Sequence, residues 1–359
     1  MENKIIIGIT QGDTNGIGYE LILKAFGNSE LFDICTPVIY GSDKVLMHHR
    51  KVLGLNTPFR TVASIDQIRE GQLNVINVIG ENLDPAVVFG QTTDEAGRLA
   101  FLALEAACRD AQKDAIDAIV TCPINLAAMP KGDFPFTSQN DYLGNRLEGT
   151  PLMMLCNPYM RVALATNHVA LADLPATLTA ELIEQRIRQA YESVSRDFLC
   201  AAPRVAVLGM NPHASSNGTI GSEEQDILQP VITKLADEGI RVFGPYAADG
   251  FFGAGLYKSF DCVLALFHDQ GVTPFKALSM DEGVNFTAGL SIVCTAPDHG
   301  PAYDKAGKNE ASEMSFLHAI YTAVDVYRRR ETYDESHANP LPHIVQHDRR
   351  EDRRPRREE

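Results

Sequence analysis

Three short apolar runs in this sequence each lead into a histidine: residues 262–267 into His268-Asp269-Gln270-Gly271, residues 162–166 into Asn167-His168, and residues 205–210 into Asn211-Pro212-His213. Apolar runs this short, bounded by turn residues, read as buried strands, so each histidine stands just past a strand end. In open parallel sheets ligands collect beyond the carboxyl ends of the strands. A shared divalent metal is the simplest chemistry that would draw neutral imidazoles together there. Taken singly, any one of them reads as a hydrogen-bonded structural histidine. Their repetition in one context favours a site, although the spacing is long-range and lacks the specificity of a signature such as H-E-x-x-H.

The elements that must hold these strand ends follow from the rest of the chain. Residues 4–10 form a β-branched strand that passes through Gln11-Gly-Asp-Thr-Asn-Gly-Ile-Gly18 into a helix over 19–26. That loop reads either as an anion cradle of backbone N–H groups or as a tight strand-to-helix turn that needs glycine; it is neither G-x-G-x-x-G nor a P-loop. A second strand covers 37–40, and 51–81 is mixed and turn-rich. Leu99, Leu102, Ala103 and Ala106 fall on one helical face. The strand 115–121 ends in Cys122-Pro123-Ile124-Asn125, completing a β-α-β order that marks a parallel sheet. Residues 133–146 read as a polar connection. Ile183, Ile187, Ala190 and Val194 define a helix with Thr179 as N-cap, and Ser222 and Gln225 have capping-box spacing ahead of Leu228, Val231 and Leu235. A strand over 289–295 and a helix through Phe316, Ile320, Ala323 and Tyr327 close the pattern. The interleaved arginines and acids of 348–359 read as a solvated, disordered tail.

Composition sets outer limits. A chain of 359 residues, 45% hydrophobic, can bury a sizeable core, and its length suggests two domains. A formal net charge of -15 and a pI near 5.1 argue against nucleic-acid or anionic-membrane partners. The seven cysteines are dispersed without C-x-x-C pairing, which points to a reducing compartment. The apolar stretch at Ile5-Ile6-Ile7 is too short for a signal segment and no run reaches membrane-spanning length, so a cytoplasmic protein is expected.

Asn211-Pro212-His213-Ala214, His268-Asp269-Gln270-Gly271 with Lys276, Val284-Asn285 and Pro297-Asp298-His299-Gly300 together resemble the 4-hydroxythreonine-4-phosphate dehydrogenase family of pyridoxal phosphate biosynthesis. The opening Gly8 to Gly12 and Gly16-Ile17-Gly18, and the Pro123-Ile124-Asn125 turn, fit as well. The resemblance runs in register from about residue 4 to 330. It implies two α/β domains flanking a cleft, as in isocitrate and isopropylmalate dehydrogenases. Residues 1–135 with 284–330 would form the first, residues 136–283 the second, and 331–359 a disordered tail. It further implies a homodimer with a shared active site, NAD or NADP bound without a Rossmann fingerprint, and one divalent ion per site, with zinc, cobalt, nickel, manganese and magnesium all open.

On this resemblance His168, His213 and His268 are the metal ligands. Lys276 and Asp249 serve catalysis, although Asp249-Gly250 reads equally as a turn. Gln139, Asn140, Lys276, Asn285 and Cys294 contact substrate. His299, Gly300, Ala302, Asp304 and Gly307 form the adenosine-side cofactor segment, and Asp269 orients a ligand histidine. The implied reaction oxidises 4-phosphohydroxy-L-threonine to a 3-keto acid that decarboxylates to 3-amino-2-oxopropyl phosphate. The chain departs from the family at Leu126, where a lysine is usual, at Ser138-Gln139-Asn140-Asp141 in place of Gly-His-Thr-Glu, at Ser215-Ser216, and at Cys294 in place of an arginine. Two alternatives follow from those departures: a related dehydrogenase for a different, unphosphorylated 3-hydroxy acid, or a catalytically retired metal-binding homologue.

Overall fold

The β-branched and aliphatic runs become strands, and those in the interior of the sheet are buried on both faces. In the computed structural model, which describes residues 4–28, 30–80, 85–279 and 281–339, the strands in chain order are β1 (Ile5–Thr10), β2 (Cys35–Gly41), β3 (Arg60–Val62), β4 (Asn74–Asn77), β5 (Ala118–Thr121), β6 (Gly149–Cys156), β7 (Arg161–Leu164), β8 (Val205–Leu208), β9 (Val242–Tyr246), β10 (Cys262–Ala265), β11 (Val284–Leu290) and β12 (Val293–Pro297). Among the described residues they form one sheet in the order β3-β4-β2-β1-β5-β12-β11-β6-β7-β10-β8-β9.

Pairing is parallel from β3 to β12 and again from β7 to β9. Between these blocks, β12 with β11, β11 with β6, and β6 with β7 pair antiparallel. An odd number of reversals makes the two parallel blocks run in opposite directions. The sheet continues unbroken across 283/284, with β11 hydrogen-bonded to both β12 and β6.

Helices cover the sheet, and one of the two caps read from the sequence forms. Thr179 accepts from the Leu182 amide and starts the helix Ala180–Asp197, which buries Ile183, Ile187, Ala190 and Val194 as the spacing predicts. In the helix Asp94–Ala111 the buried stripe runs through Ala96, Leu99, Ala100, Ala103, Leu104, Ala107 and Cys108, while Leu102 and Ala106 of the expected face are only half-buried. Ser138 accepts from the Asp141 amide and begins a helix, Gln139–Arg146, inside the stretch expected to be a connection. The Ser222–Gln225 capping box does not form, because the Gln225 side chain is taken by Ser215 and Ser222 bonds Asp226 instead.

The final helix, Met314–His337, runs past the expected start of the tail at 331. Burial of Arg330 explains the extension: its guanidinium donates to Asp197 at 2.6 Å and to the Leu290 and Ser291 carbonyls. One turn on, Asp334 pairs with Arg196. Residues 340–359 lie outside the described residues. Among the described residues no helix is long and apolar enough to cross a membrane.

Candidate active site

Strands β7 and β10 are parallel neighbours, Val162 opposite Val263 and Leu164 opposite Ala265. The pairing persists beyond both strands: Ala165 N donates to Ala265 O, and Thr166 donates from both its amide and its hydroxyl to Leu266 O. The chains separate only at the next residues. His168 and His268 therefore meet, with ring centroids 5.3 Å apart. Asp269 Oδ1 lies 2.8 Å from His268 Nδ1, which fixes that ring and leaves Nε2 free. Burial lowers the pKa of His168, as does the neighbouring His268, and the neutral imidazole is the form that binds metal. Gln270 ties the ends of β10 and β8 together, accepting from Leu266 N and donating to Gly209 O.

His213 does not join this pair within the chain. It follows β8 in a turn, Pro212–Ser216, that carries it to the surface. Among the described residues, no three His, Cys, Asp or Glu side chains stand close enough to hold a metal. The turn is left-handed at five successive non-glycine residues, with φ of 55°, 47°, 61°, 48° and 56° from His213 to Asn217. Such backbone costs L-residues about 1–2 kcal/mol each. Specific bonds offset the strain. Ser215, fully buried, donates its hydroxyl to Gln225 and accepts from Gly218 N. The buried Glu224 accepts from both the backbone and side-chain nitrogens of Asn211.

The histidine pair opens onto a cavity of about 230 Å3 at the point where strand direction reverses. The first turn of the helix Gln139–Arg146 supplies Gln139 and Asn140, β11 supplies Asn285, and the segment after β12 supplies Asp298 and His299. Asn140 Nδ2 donates to Asn285 Oδ1 at 3.1 Å and to Thr287 Oγ1 at 2.8 Å, so its rotamer is held from two sides. Gln139 Nε2 is buried with no acceptor, and a buried donor left unbonded is a site for a ligand acceptor. Lys276 reaches in from the helix His268–Ser279 and lies 3.5 Å from Asp298 Oδ1. Burial raises the Asp298 pKa and Lys276 pulls it back. Asp298 is the lining carboxylate that motif reading passed over, because burial cannot be seen in Pro297-Asp298-His299.

Two expected site residues lie elsewhere. Asp249 is exposed in the first turn of the short helix Ala248–Gly253. That helix follows β9, the edge strand separated from β10 by β8, and its Phe251 is buried against Tyr246 and Phe260, which turns Asp249 outward. Cys294 is fully buried in a core cluster with Cys108, Tyr142 and Leu290, and desolvation raises its thiol pKa. It shares a sheet face with Ala296, which does line the cavity, but a cysteine is too short to reach past it.

The segment expected to hold the cofactor leaves the cavity rim at His299, which is half-buried with its pKa lowered by burial. Gly300 faces open space and is exposed, as is Asp304. Ala302 is left-handed at φ 45°, and Gly307 packs flush against Phe89. The loop 11–18, in contrast, is buried at every residue, so it is no anion cradle. A Cβ on Gly12 would stand 2.5 Å from Pro123 O, and one on Gly18 2.3 Å from Gln11 O; its glycines serve close packing.

Residues 33–323 match the family model described as pyridoxal phosphate biosynthetic protein PdxA. A 4-hydroxythreonine-4-phosphate dehydrogenase of Bacteroides thetaiotaomicron is 45% identical over 95% of this chain and 93% of its own. A D-threonate 4-phosphate dehydrogenase of Cupriavidus necator is 36% identical over 90% and 98%. The solved structure of a putative 4-hydroxythreonine-4-phosphate dehydrogenase from Salmonella typhimurium superposes with a TM-score of 0.76 at 31% identity, over 90% of this chain and all (100%) of the other.

Proposed function

Because the chain belongs to the pyridoxal phosphate biosynthetic protein PdxA family, we propose that it is a 4-hydroxythreonine-4-phosphate dehydrogenase. It would oxidise the hydroxyl carbon of 4-phosphohydroxy-L-threonine with a nicotinamide cofactor, NAD or NADP, as hydride acceptor. The 3-keto acid formed then loses carbon dioxide to give 3-amino-2-oxopropyl phosphate. The observation that carries this reading is the His168–His268 pair on the rim of the cavity that Lys276, Asn285 and His299 also line.

The donor chemistry fits a divalent metal. Two imidazoles lie side by side, one held neutral by burial and the other with its Nδ1 occupied by Asp269. An all-nitrogen set suits zinc, cobalt or nickel better than magnesium. The third ligand would be His213 of the partner subunit, displayed outward on its strained turn, which makes the working unit a homodimer with shared sites. When bound, the metal supplies Lewis acidity at the substrate hydroxyl. The chain's own residues do the rest. Lys276 and Asn285 take the substrate's anionic end, and Gln139 offers its unbonded amide to it. Asn140 holds Asn285 in place. Asp298, made more basic by burial, would receive the hydroxyl proton, and Asp298→Asn should lower kcat by about 10²-fold or more; a change under about threefold would remove it from this role. The blocks on either side of β11 would act as two lobes about the cavity. All seven cysteines are unpaired, which supports a reducing, cytoplasmic setting.

Purified protein supplied with divalent metal, NAD and the phosphorylated substrate should form NADH, and silence there overturns the proposal. One observation supports a second reading, a dehydrogenase for a less anionic 3-hydroxy acid. Lys276 is the lone Lys or Arg among the described residues lining the cavity, and the Asp298 carboxyl 3.5 Å away competes with a substrate anion for it. Turnover confined to unphosphorylated hydroxy acids would select that reading. Stoichiometric metal binding without any turnover would instead mark a retired homologue.

A further inference from the structure

We infer that Asp13 is a positioning residue for cofactor binding: its buried carboxylate, through the hydroxyl of Tyr303, fixes the shape of residues 299–307. The inference rests on the cofactor reading above and concerns a residue that reading does not use.

Asp13 is 1% exposed, and a carboxylate so placed needs a reason. Both of its oxygens are engaged: Oδ1 accepts from Asn15 N at 2.9 Å and Oδ2 from the Tyr303 hydroxyl at 2.7 Å. The Tyr303 oxygen in turn accepts from Asn125 Nδ2 at 3.0 Å, and the same amide donates to Thr92 Oγ1. One hydrogen-bonded chain thus joins the loop after β1, the cofactor segment and the turn after β5. Burial raises the Asp13 pKa, and its hydrogen bonds from Tyr303, Asn15 and Gly16 pull it part of the way back.

Other groups of the same loop grip the same segment. Ile17 N donates to Pro301 O, and a Cβ on Gly16 would stand 2.8 Å from Pro301. Asn15 secures the neighbouring strip by accepting from Val88 N and donating to Gln91 O and Thr93 Oγ1. Farther along, Glu20 accepts from Ala311 N and Lys24 donates to the Asn309 and Ala311 carbonyls. Backbone bonds alone would hold the segment against the loop. The Asp13–Tyr303 bond adds a charged acceptor that selects one rotamer of a side chain midway between Gly300 and Gly307.

The test measures NADH binding to the metal-loaded dimer by fluorescence titration, alongside steady-state kinetics. Asp13→Asn keeps the volume but removes the charge. It should weaken NADH binding on the order of tenfold, as for loss of a charge-assisted hydrogen bond, and raise KM for the cofactor, with the hydroxy-acid KM and kcat at saturating cofactor nearly unchanged. Tyr303→Phe, at a half-exposed position, should do the same, and the double variant should be no worse than either single one. Wild-type affinity in both single variants overturns the inference, as does a parallel rise in both KM values. Absence of NADH binding by the wild-type protein would overturn the cofactor reading itself.

Discussion

Residues 11–18 and 213–218 both leave a strand of the same sheet, and they use their backbone in opposite ways. The first is rich in glycine and wholly buried, and its polar side chains are spent on the segments around it. The second lacks glycine until Gly218, is largely exposed, and holds five L-residues in left-handed geometry beginning at the exposed His213. By composition the first looks like a ligand loop and the second like an ordinary turn. The comparison teaches that glycine marks where backbone comes close to backbone, whereas strain borne without glycine calls for a reason, which the proposed role of His213 would supply.

The sharpest way to break this contrast is to ask whether His213 acts away from its own chain. His168→Ala and His213→Ala homodimers should each lose metal and about 10³-fold in kcat/KM, the equivalent of several kcal/mol. Exchanging their subunits should return up to roughly a quarter of wild-type activity, since half of the dimers would contain one intact centre. Failure to recover after confirmed exchange, or full metal content in His213→Ala, would sink the shared site.

The next effect is on pH stability and belongs to the buried loop. His49 Nε2 bonds Thr14 O, and burial lowers its pKa to about 4. The unfolded chain takes up this proton near pH 6.5 and the folded protein does not, so the contribution is complete above 6.5 and is lost as pH falls toward 4. Urea unfolding should show up to roughly 3 kcal/mol of loss over that window, and the slope should shrink in His49→Gln. An identical slope in the variant would exclude His49 as its source.

A smaller effect should come from Gly18→Ala, which forces a Cβ toward Gln11 O and should cost about 1–3 kcal/mol by overpacking. A neutral result would mean that the loop is looser than its geometry implies. Smallest and opposite in sign is Ser216→Gly, which relieves φ 48° at an exposed residue and should stabilise by at most about 1 kcal/mol. If metal affinity then drops, the strain itself helps present His213.

How much of this was legible in the sequence depended on whether a signal was local. The strand ends at His168 and His268 are readable because an apolar run stops just before each, and strand pairing does the rest. The position of Asp249 depends on strand order, which places β9 at the sheet edge, and no local pattern reports order. Cys294 occupied a position where the family resemblance expected a long cation, yet its reach, not its register, decides whether it touches the cavity. The helix Gln139–Arg146 was missed because it is short and polar with no apolar period, although Ser138 three residues before Asp141 was a usable cap signal. Asp13 and Asp298 gave no sign of their importance, since a carboxylate in a motif looks the same in sequence whether it is wet or enclosed.

The zipper beyond β7 and β10 also acts as a guide. Main-chain pairing carried to Thr166 and Leu266 delivers both histidines to one end of the sheet, one register position apart, with their rings 5.3 Å from each other. Ion preference can therefore drift through side-chain rotation or exchange of a neighbour while the sheet keeps the two strand ends side by side.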